Sequence, residues 1–488
     1  MSILPKTAFI DPAGGNRVEI EALLHQTVAM VVDEMTQAQC RSPLPTAIST
    51  AQFEQWARIP EQSVGADTLL ETVRSHLRHA MNAAHPGYIG HMDSIPTTLS
   101  VIGDFLVAAL NNNMLSVEMS PVFSRLEPLV MQQMAARFGL GSTAGGVMVS
   151  GGSLANLQAL TVARNVAFDA VKTGVVGLGK QPVFFVSEVA HTSMQKAAMV
   201  MGLGSQAAIT IRTNANSQLD INDLKDKLDG AQQAKQVPFA IVATAGTTVT
   251  GNIDPMAEMA HLAQTHQLWF HVDAAYGGAL IFSPEHRHLL EGIEQADSVT
   301  FNPQKWLYIA KTCATLLFKD PDVLKHHFRI LAPYMEDHSE WPNLGELTVQ
   351  GTRHPDILKL WLSLQHLGSA GYAEIIRHNY AMTAQFVDAV RARPYLQLAG
   401  EPQMNLVCFR LQPDWAEAAE CDRFNARLQR YLLSVEAQTS AFLSLPTYRH
   451  QRWLKAVLLN PYFHSDRIGR LFEHIDAFYA QLTRLTSQ

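Results

Sequence analysis

Ser298-Val299-Thr300-Phe301-Asn302-Pro303-Gln304-Lys305-Trp306 opens as a β-favouring run that Asn-Pro stops, so Lys305 stands just past a strand end. An amine held there away from water has a lowered pKa, and its neutral form attacks carbonyl carbon. The plainer alternative is a surface lysine after a turn. Upstream, His271-Val272-Asp273-Ala274-Ala275-Tyr276-Gly277-Gly278 repeats the form: the apolar run from Leu268 to Val272 delivers a carboxylate and then breaks on glycines. An imine-forming lysine and an acid at neighbouring strand mouths point to pyridoxal 5'-phosphate. The lysine takes the aldehyde, and the acid pairs with the pyridinium nitrogen.

Three further strand ends carry polar residues. Val149-Ser150-Gly151-Gly152-Ser153-Leu154-Ala155-Asn156 joins a strand to a helix through two glycines, where bare N–H groups and a hydroxyl suit a phosphate. In Ser187-Glu188-Val189-Ala190-His191-Thr192-Ser193, His191 can lie flat on a pyridine ring; its plainer reading is a histidine at a helix start. Thr244-Ala245-Gly246-Thr247-Thr248 supplies small side chains and hydroxyls. A competing assignment makes His191, His271 and Asp273 the ligands of a hydrolytic metal. It leaves Lys305 without a role and lacks a water-activating partner.

From Val147 onward the pattern alternates strand and helix. Strands are expected at 147–150, 183–187, 207–212, 239–244, 268–273, 298–302 and 313–318, with helices near 153–172, 192–202, 221–235, 255–266 and 285–291. Near-continuous apolar strands indicate a sheet covered on both faces, hence an α/β domain with a mostly parallel seven-stranded sheet and ligands at the strand ends. Ahead of it, Glu19 to Met35 and Leu69 to Ala84 have helical spacing and no strand signal, which predicts a helical arm lying on a partner subunit. The expected division is a helical segment 1–90, a large cofactor domain 91–365 and a small α+β domain 366–488, with strands at Asn405–Phe409 and Leu454–Leu459.

The chain has 488 residues, 47% hydrophobic and 17% charged, with net charge −7, which suits a well-buried enzyme. No basic block marks nucleic acid or anionic membrane as a partner. No apolar run reaches spanning length, and no leader pattern is evident at the start. The four cysteines are scattered without metal-site spacing, as in a reducing cytoplasm.

Taken together, His85-Pro86, Ser120-Pro121 with Glu127, Gly151-Gly152-Ser153, Ala190-His191, Gly246-Thr247-Thr248, His271 to Ala275, Asn302 to Trp306 and Gly351-Thr352-Arg353 resemble the group II pyridoxal-phosphate-dependent amino-acid decarboxylases. That family includes the glutamate, cysteine-sulfinate and aromatic amino-acid enzymes. The resemblance covers about His85 to Leu364, with a weaker echo at Lys455 to Ile475. It implies the type I (aspartate aminotransferase-like) fold and a homodimer with the active site at the interface. It also implies a small amino-acid substrate losing CO₂ to give an amine. By the same resemblance Lys305 carries the cofactor as an imine, Asp273 pairs with its ring nitrogen and His191 stacks on the ring. Gly152, Ser153 and Asn302 hold phosphate, and Thr247 and Ala275 line the cofactor. His91 and Lys455 are substrate candidates. Two departures stand out: Gln304 occupies a position where the family usually has His, and no lid tyrosine is placed. Tyr334 and His338 are the acids on offer there, and His338 is the expected proton donor. The alternative outcomes on this fold are decarboxylation-coupled oxidative deamination, as in an aldehyde synthase, and transamination.

Overall fold

The computed structural model describes residues 4–45, 47–331 and 341–486. Seven strands form the central sheet: β1 (Gly145–Val149), β2 (Gln181–Ser187), β3 (Ala208–Ile211), β4 (Gln236–Thr244), β5 (Trp269–Asp273), β6 (Ser298–Phe301) and β7 (Ala314–Phe318). Their order is β1-β7-β6-β5-β4-β2-β3. The pairs from β6 through β3 are parallel, and β7 runs antiparallel to both neighbours. Each strand expected from the sequence is present within a few residues.

Burial explains why these runs are apolar throughout. Val183 to Val186 and Ala240 to Ala243 are fully buried because helices cover both faces. Burying each such valine, isoleucine or phenylalanine side chain contributes about 1.5–3 kcal/mol. The helix Gly152–Phe168 packs across β4 to β7, so its N-terminus arrives at the strand mouths. Thr244 pairs with Asp273, and Asp273 with Thr300, so three strands end side by side in register.

Two motif pieces far apart in sequence meet in the core. Arg353 makes a two-pronged ion pair with Glu127, both contacts 2.8 Å, and Glu127 also accepts the Met148 N–H at 2.9 Å. Both partners are buried. Removing either would strand the other's charge out of water.

Outside the sheet the expectations need adjusting. The helix expected from Leu69 to Ala84 spans Ala66–His79 instead. Ala80 is extended, and Asn82 is drawn away to donate to the Ala38 carbonyl at 2.8 Å. The helix expected at 285–291 is a single 3₁₀ turn, Arg287–Leu290, behind Pro284. C-terminal to the sheet, a long helix (Ile357–Arg391) breaks its geometry at Gly368, where φ is +61°. It leads to a three-stranded sheet of Leu396–Leu398, Leu406–Leu411 and Leu454–Val457. Among the described residues no helix is long and apolar enough to cross a membrane.

Candidate active site

The ends of β1, β4, β5 and β6 and the start of the Gly152–Phe168 helix enclose a cavity of about 440 Å³. Gly152, Ser153, His191, Asp273, Ala275, Asn302 and Lys305 all line it. At one end the helix presents its first N–H groups beside the Ser153 hydroxyl and the Asn302 amide. A Cβ on Gly152 would sit 2.7 Å from Asn302 Nδ2, so only glycine lets that amide approach. Across the cavity, Asp273 Oδ1 accepts the Ala275 N–H at 3.1 Å and Oδ2 accepts Asn156 Nδ2 at 2.9 Å.

Lys305 is half-buried, and loss of hydration is the main cause that lowers its pKa; the Asp273 carboxylate opposes the shift. His191 accepts the Ser193 N–H on Nδ1 at 3.1 Å, which leaves the proton of the neutral ring on Nε2. Loss of hydration lowers its pKa too, against the pull of Asp273. The segment after Lys305 is firmly tied. Trp306 Nε1 donates to Asn379, the Tyr308 hydroxyl to the Leu459 carbonyl, and the Tyr372 hydroxyl to the Leu307 carbonyl.

Some expected residues fall elsewhere. The Thr247 hydroxyl is engaged by Thr250 and the Asn252 N–H, so it ties a turn, whereas Thr244 and Thr248 line the cavity. Lys455 is buried behind the lining, its Nζ 3.2 Å from the Thr248 carbonyl. His91 is exposed, with its ring 5.2 Å from that of Phe442. Its pKa is lowered first by desolvation and then by Lys455. His338 and Tyr334 lie outside the described residues. The metal-ligand assignment fails on His271: both ring nitrogens are taken, by Ser298 and Asn156, and the residue does not line the cavity.

Sequence reasoning missed Asn156, which touches Asp273 directly. An asparagine on the fifth position of a helix has no spacing signature; only the direction of its neighbours reveals it. Gln304 turned out to be structural at one end. Its Oε1 accepts the Cys313 N–H, closing the loop that carries Lys305, while the residue also lines the cavity.

Pyridoxal phosphate fits this donor set. The helix N-terminus, Ser153 and Asn302 have N–H and hydroxyl groups free to meet a phosphate, the Asp273 carboxylate could accept from a ring N–H, and Lys305 has an amine that could meet an aldehyde. Thr244 Oγ1, Thr300 Oγ1 and Asn302 Oδ1 are buried without a partner at the strand ends, as in a site completed by a ligand or ordered water.

The model of the pyridoxal-dependent decarboxylase conserved domain matches residues 51–412. Over 423 residues the chain is 30% identical to the acidic amino acid decarboxylase GADL1 of Mus musculus, covering 84% of this chain and 76% of that protein. Among solved structures it is similar to mouse CSAD, with a TM-score of 0.89 and 27% identity over 95% of this chain and 99% of that one. The glutamate decarboxylase domain of a Vibrio parahaemolyticus diaminobutyrate-pyruvate transaminase and L-2,4-diaminobutyrate decarboxylase gives a TM-score of 0.84 at 26% identity, over 98% of each chain. The fold is thus the type I fold of pyridoxal-phosphate enzymes, and amine formation is favoured over oxidative deamination or transamination. The chain belongs to the pyridoxal-dependent decarboxylase family, a carboxy-lyase that uses pyridoxal phosphate to release CO₂ from an amino acid.

Proposed function

We propose that the substrate is an L-amino acid with an acidic side chain, and that Lys305, Asp273 and His191 carry the chemistry within a cytoplasmic homodimer. The observation that carries the substrate reading is Lys455. Burial pushes its pKa down to about 8, with Lys305 adding to the shift. A buried cation beside the cavity is costly unless something anionic meets it. The acidic amino acid decarboxylases among the relatives support the same reading.

Bound pyridoxal phosphate supplies an electron sink for the pair released when CO₂ leaves. Lys305 would be its covalent anchor, and the lowered pKa raises the share of the amine that is neutral and nucleophilic. Asp273 holds the ring nitrogen in its protonated state by offering a carboxylate already fixed by two N–H donors. His191 would cover the ring face, its own plane set by the bond from the Ser193 N–H. Gly152, Ser153 and Asn302 would hold the phosphate, and Ala275 would line the same cavity.

Screening the twenty amino acids, cysteine sulfinate and 2,4-diaminobutyrate for CO₂ release tests the substrate class. Acidic substrates should lead. Because Lys455 is charged below its pKa, their KM should rise as pH climbs through about 8. Lys455→Met should reduce kcat/KM for them about 10- to 100-fold and flatten that pH limb. Preference for an aromatic or diamino substrate, or an equal effect on all substrates, contradicts the reading.

The dimer rests on the helix Thr98–Leu110. Ser100, Gly103 and Val107 are its buried side, and Gly103 lets the Ile357–Arg391 helix come close. Val101, Ile102, Phe105, Leu106 and Leu110 on the outside are 42–57% exposed. A continuous apolar stripe of this kind suits a second copy of the chain. Sedimentation should give a dimer, and Phe105→Asp with Leu106→Asp should give an inactive monomer; an active monomer would refute a site shared between subunits. The four free cysteines accord with a reducing cytoplasm, which cell fractionation can check.

A further inference from the structure

Behind Asp273 a row of side chains runs away from the cavity. Trp269, His271 and Asp273 alternate along β5 and so face the same side of the sheet, while Phe270 and Val272 point into the other layer. Ser298 sits beside His271 in register on β6, and the Gly152–Phe168 helix lowers Asn156 onto the same face. Asn156 Nδ2 lies 2.9 Å from Asp273 Oδ2 and 3.0 Å from Ser193 Oγ. Asn156 Oδ1 lies 3.1 Å from His271 Nε2, and His271 Nδ1 lies 2.8 Å from Ser298 Oγ. Trp269 Nε1 donates to the same Ser298 oxygen at 2.8 Å.

These contacts admit one set of directions. An indole N–H only donates, so Ser298 must accept from Trp269. A carboxylate only accepts, so Asn156 turns its NH₂ to Asp273 and its carbonyl oxygen to His271. That oxygen requires a donor, which puts the ring proton on Nε2. Burial holds His271 neutral, its pKa pushed down to about 4, so Nδ1 is bare and takes the Ser298 hydroxyl proton. Asn156, His271 and Ser298 are at most 1% exposed, so water does not compete. Rotating the Asn156 amide would set two acceptors against each other at Asp273.

We propose that His271, backed by Ser298 and Trp269, is a positioning residue that locks the Asn156 amide so that Asp273 meets the cofactor ring nitrogen purely as an acceptor. The proposal rests on the assignment of Asp273 to that nitrogen. It adds the reason the carboxylate keeps one orientation.

The test has an arm on the apoprotein and an arm on the holoenzyme. In apoprotein labelled with ¹⁵N-histidine, the His271 resonances, identified by their loss in His271→Gln, should report the neutral Nε2–H tautomer unchanged between about pH 5 and 8. The Nδ1–H tautomer would overturn the proposal without reference to the cofactor. His271→Phe removes the donor to Asn156, and the pyridoxal phosphate dissociation constant should rise about 10- to 100-fold. The ring-nitrogen resonance of ¹⁵N-labelled cofactor should move toward the unprotonated position. His271→Gln can still donate to Asn156 and should restore most of both. A lowered apoprotein melting temperature with unchanged affinity and resonance would mean a packing role only and would also overturn it. Should the Phe variant fail to fold, the wild-type tautomer and the Gln variant decide. If Asp273→Asn leaves the ring-nitrogen resonance unmoved, the assignment of Asp273 fails, while the tautomer still judges the chain behind it.

Discussion

Lys305→Ala is expected to lower CO₂ release about 10⁴-fold or more while leaving the protein folded, because it removes the amine proposed as the cofactor's anchor. The fold should survive. The ties that hold the loop run through Trp306, Tyr308, Gln304 and the Leu307 carbonyl and do not use the Lys305 side chain. Deleting a partly desolvated amine also relieves a desolvation penalty, so the apoprotein should melt no lower than wild type. Turnover assays paired with thermal melts check both halves. A variant with wild-type turnover would remove Lys305 from the chemistry, and one that is inactive because it is unfolded would leave its role to be judged by chemical labelling.

Asp273→Asn should lower kcat about 10²- to 10³-fold, the usual scale for removing one fixed electrostatic partner of a developing charge. The amide keeps the size of the carboxylate and one oxygen for Asn156 or the Ala275 N–H, so much of the cofactor should remain bound. What it lacks is the negative charge proposed to keep the ring nitrogen protonated. Measured cofactor content separates the two effects. Loss of turnover in proportion to lost cofactor would assign Asp273 to binding alone, and unchanged turnover would end the electron-sink argument.

The fold and much of the candidate site could be read from local pattern because the site is built at strand ends. In a parallel sheet each apolar run points its terminal polar residue to the same edge, so Asp273 and the segments holding Ser153, His191 and Lys305 announce themselves one at a time. The register of Thr244, Asp273 and Thr300 then brings three of those edges together. What local pattern cannot show is where a side chain turns after the strand stops. Thr247 bends into its own turn and Thr248 reaches the cavity, a difference made by the bonds to Thr250 and Asn252. Asn156 was hidden for a related reason: it lies inside a helix, and its value comes from His271 and Asp273 more than a hundred residues away. Likewise Glu127 and Arg353 were visible only as separate motif pieces, and their pairing belongs to the tertiary structure. Helix ends were read least well. His79 ends its helix because Asn82 finds a better partner at Ala38, which no window of neighbouring residues contains.

The most direct measurement reconstitutes the protein with pyridoxal phosphate, confirms CO₂ release from its best amino acid, and then reduces the complex with borohydride before peptide mapping. The visible absorption band should disappear, turnover should stop, and the pyridoxyl group should be found on the peptide containing Lys305. A label on any other lysine, or full activity after reduction, would contradict the assignment of Lys305.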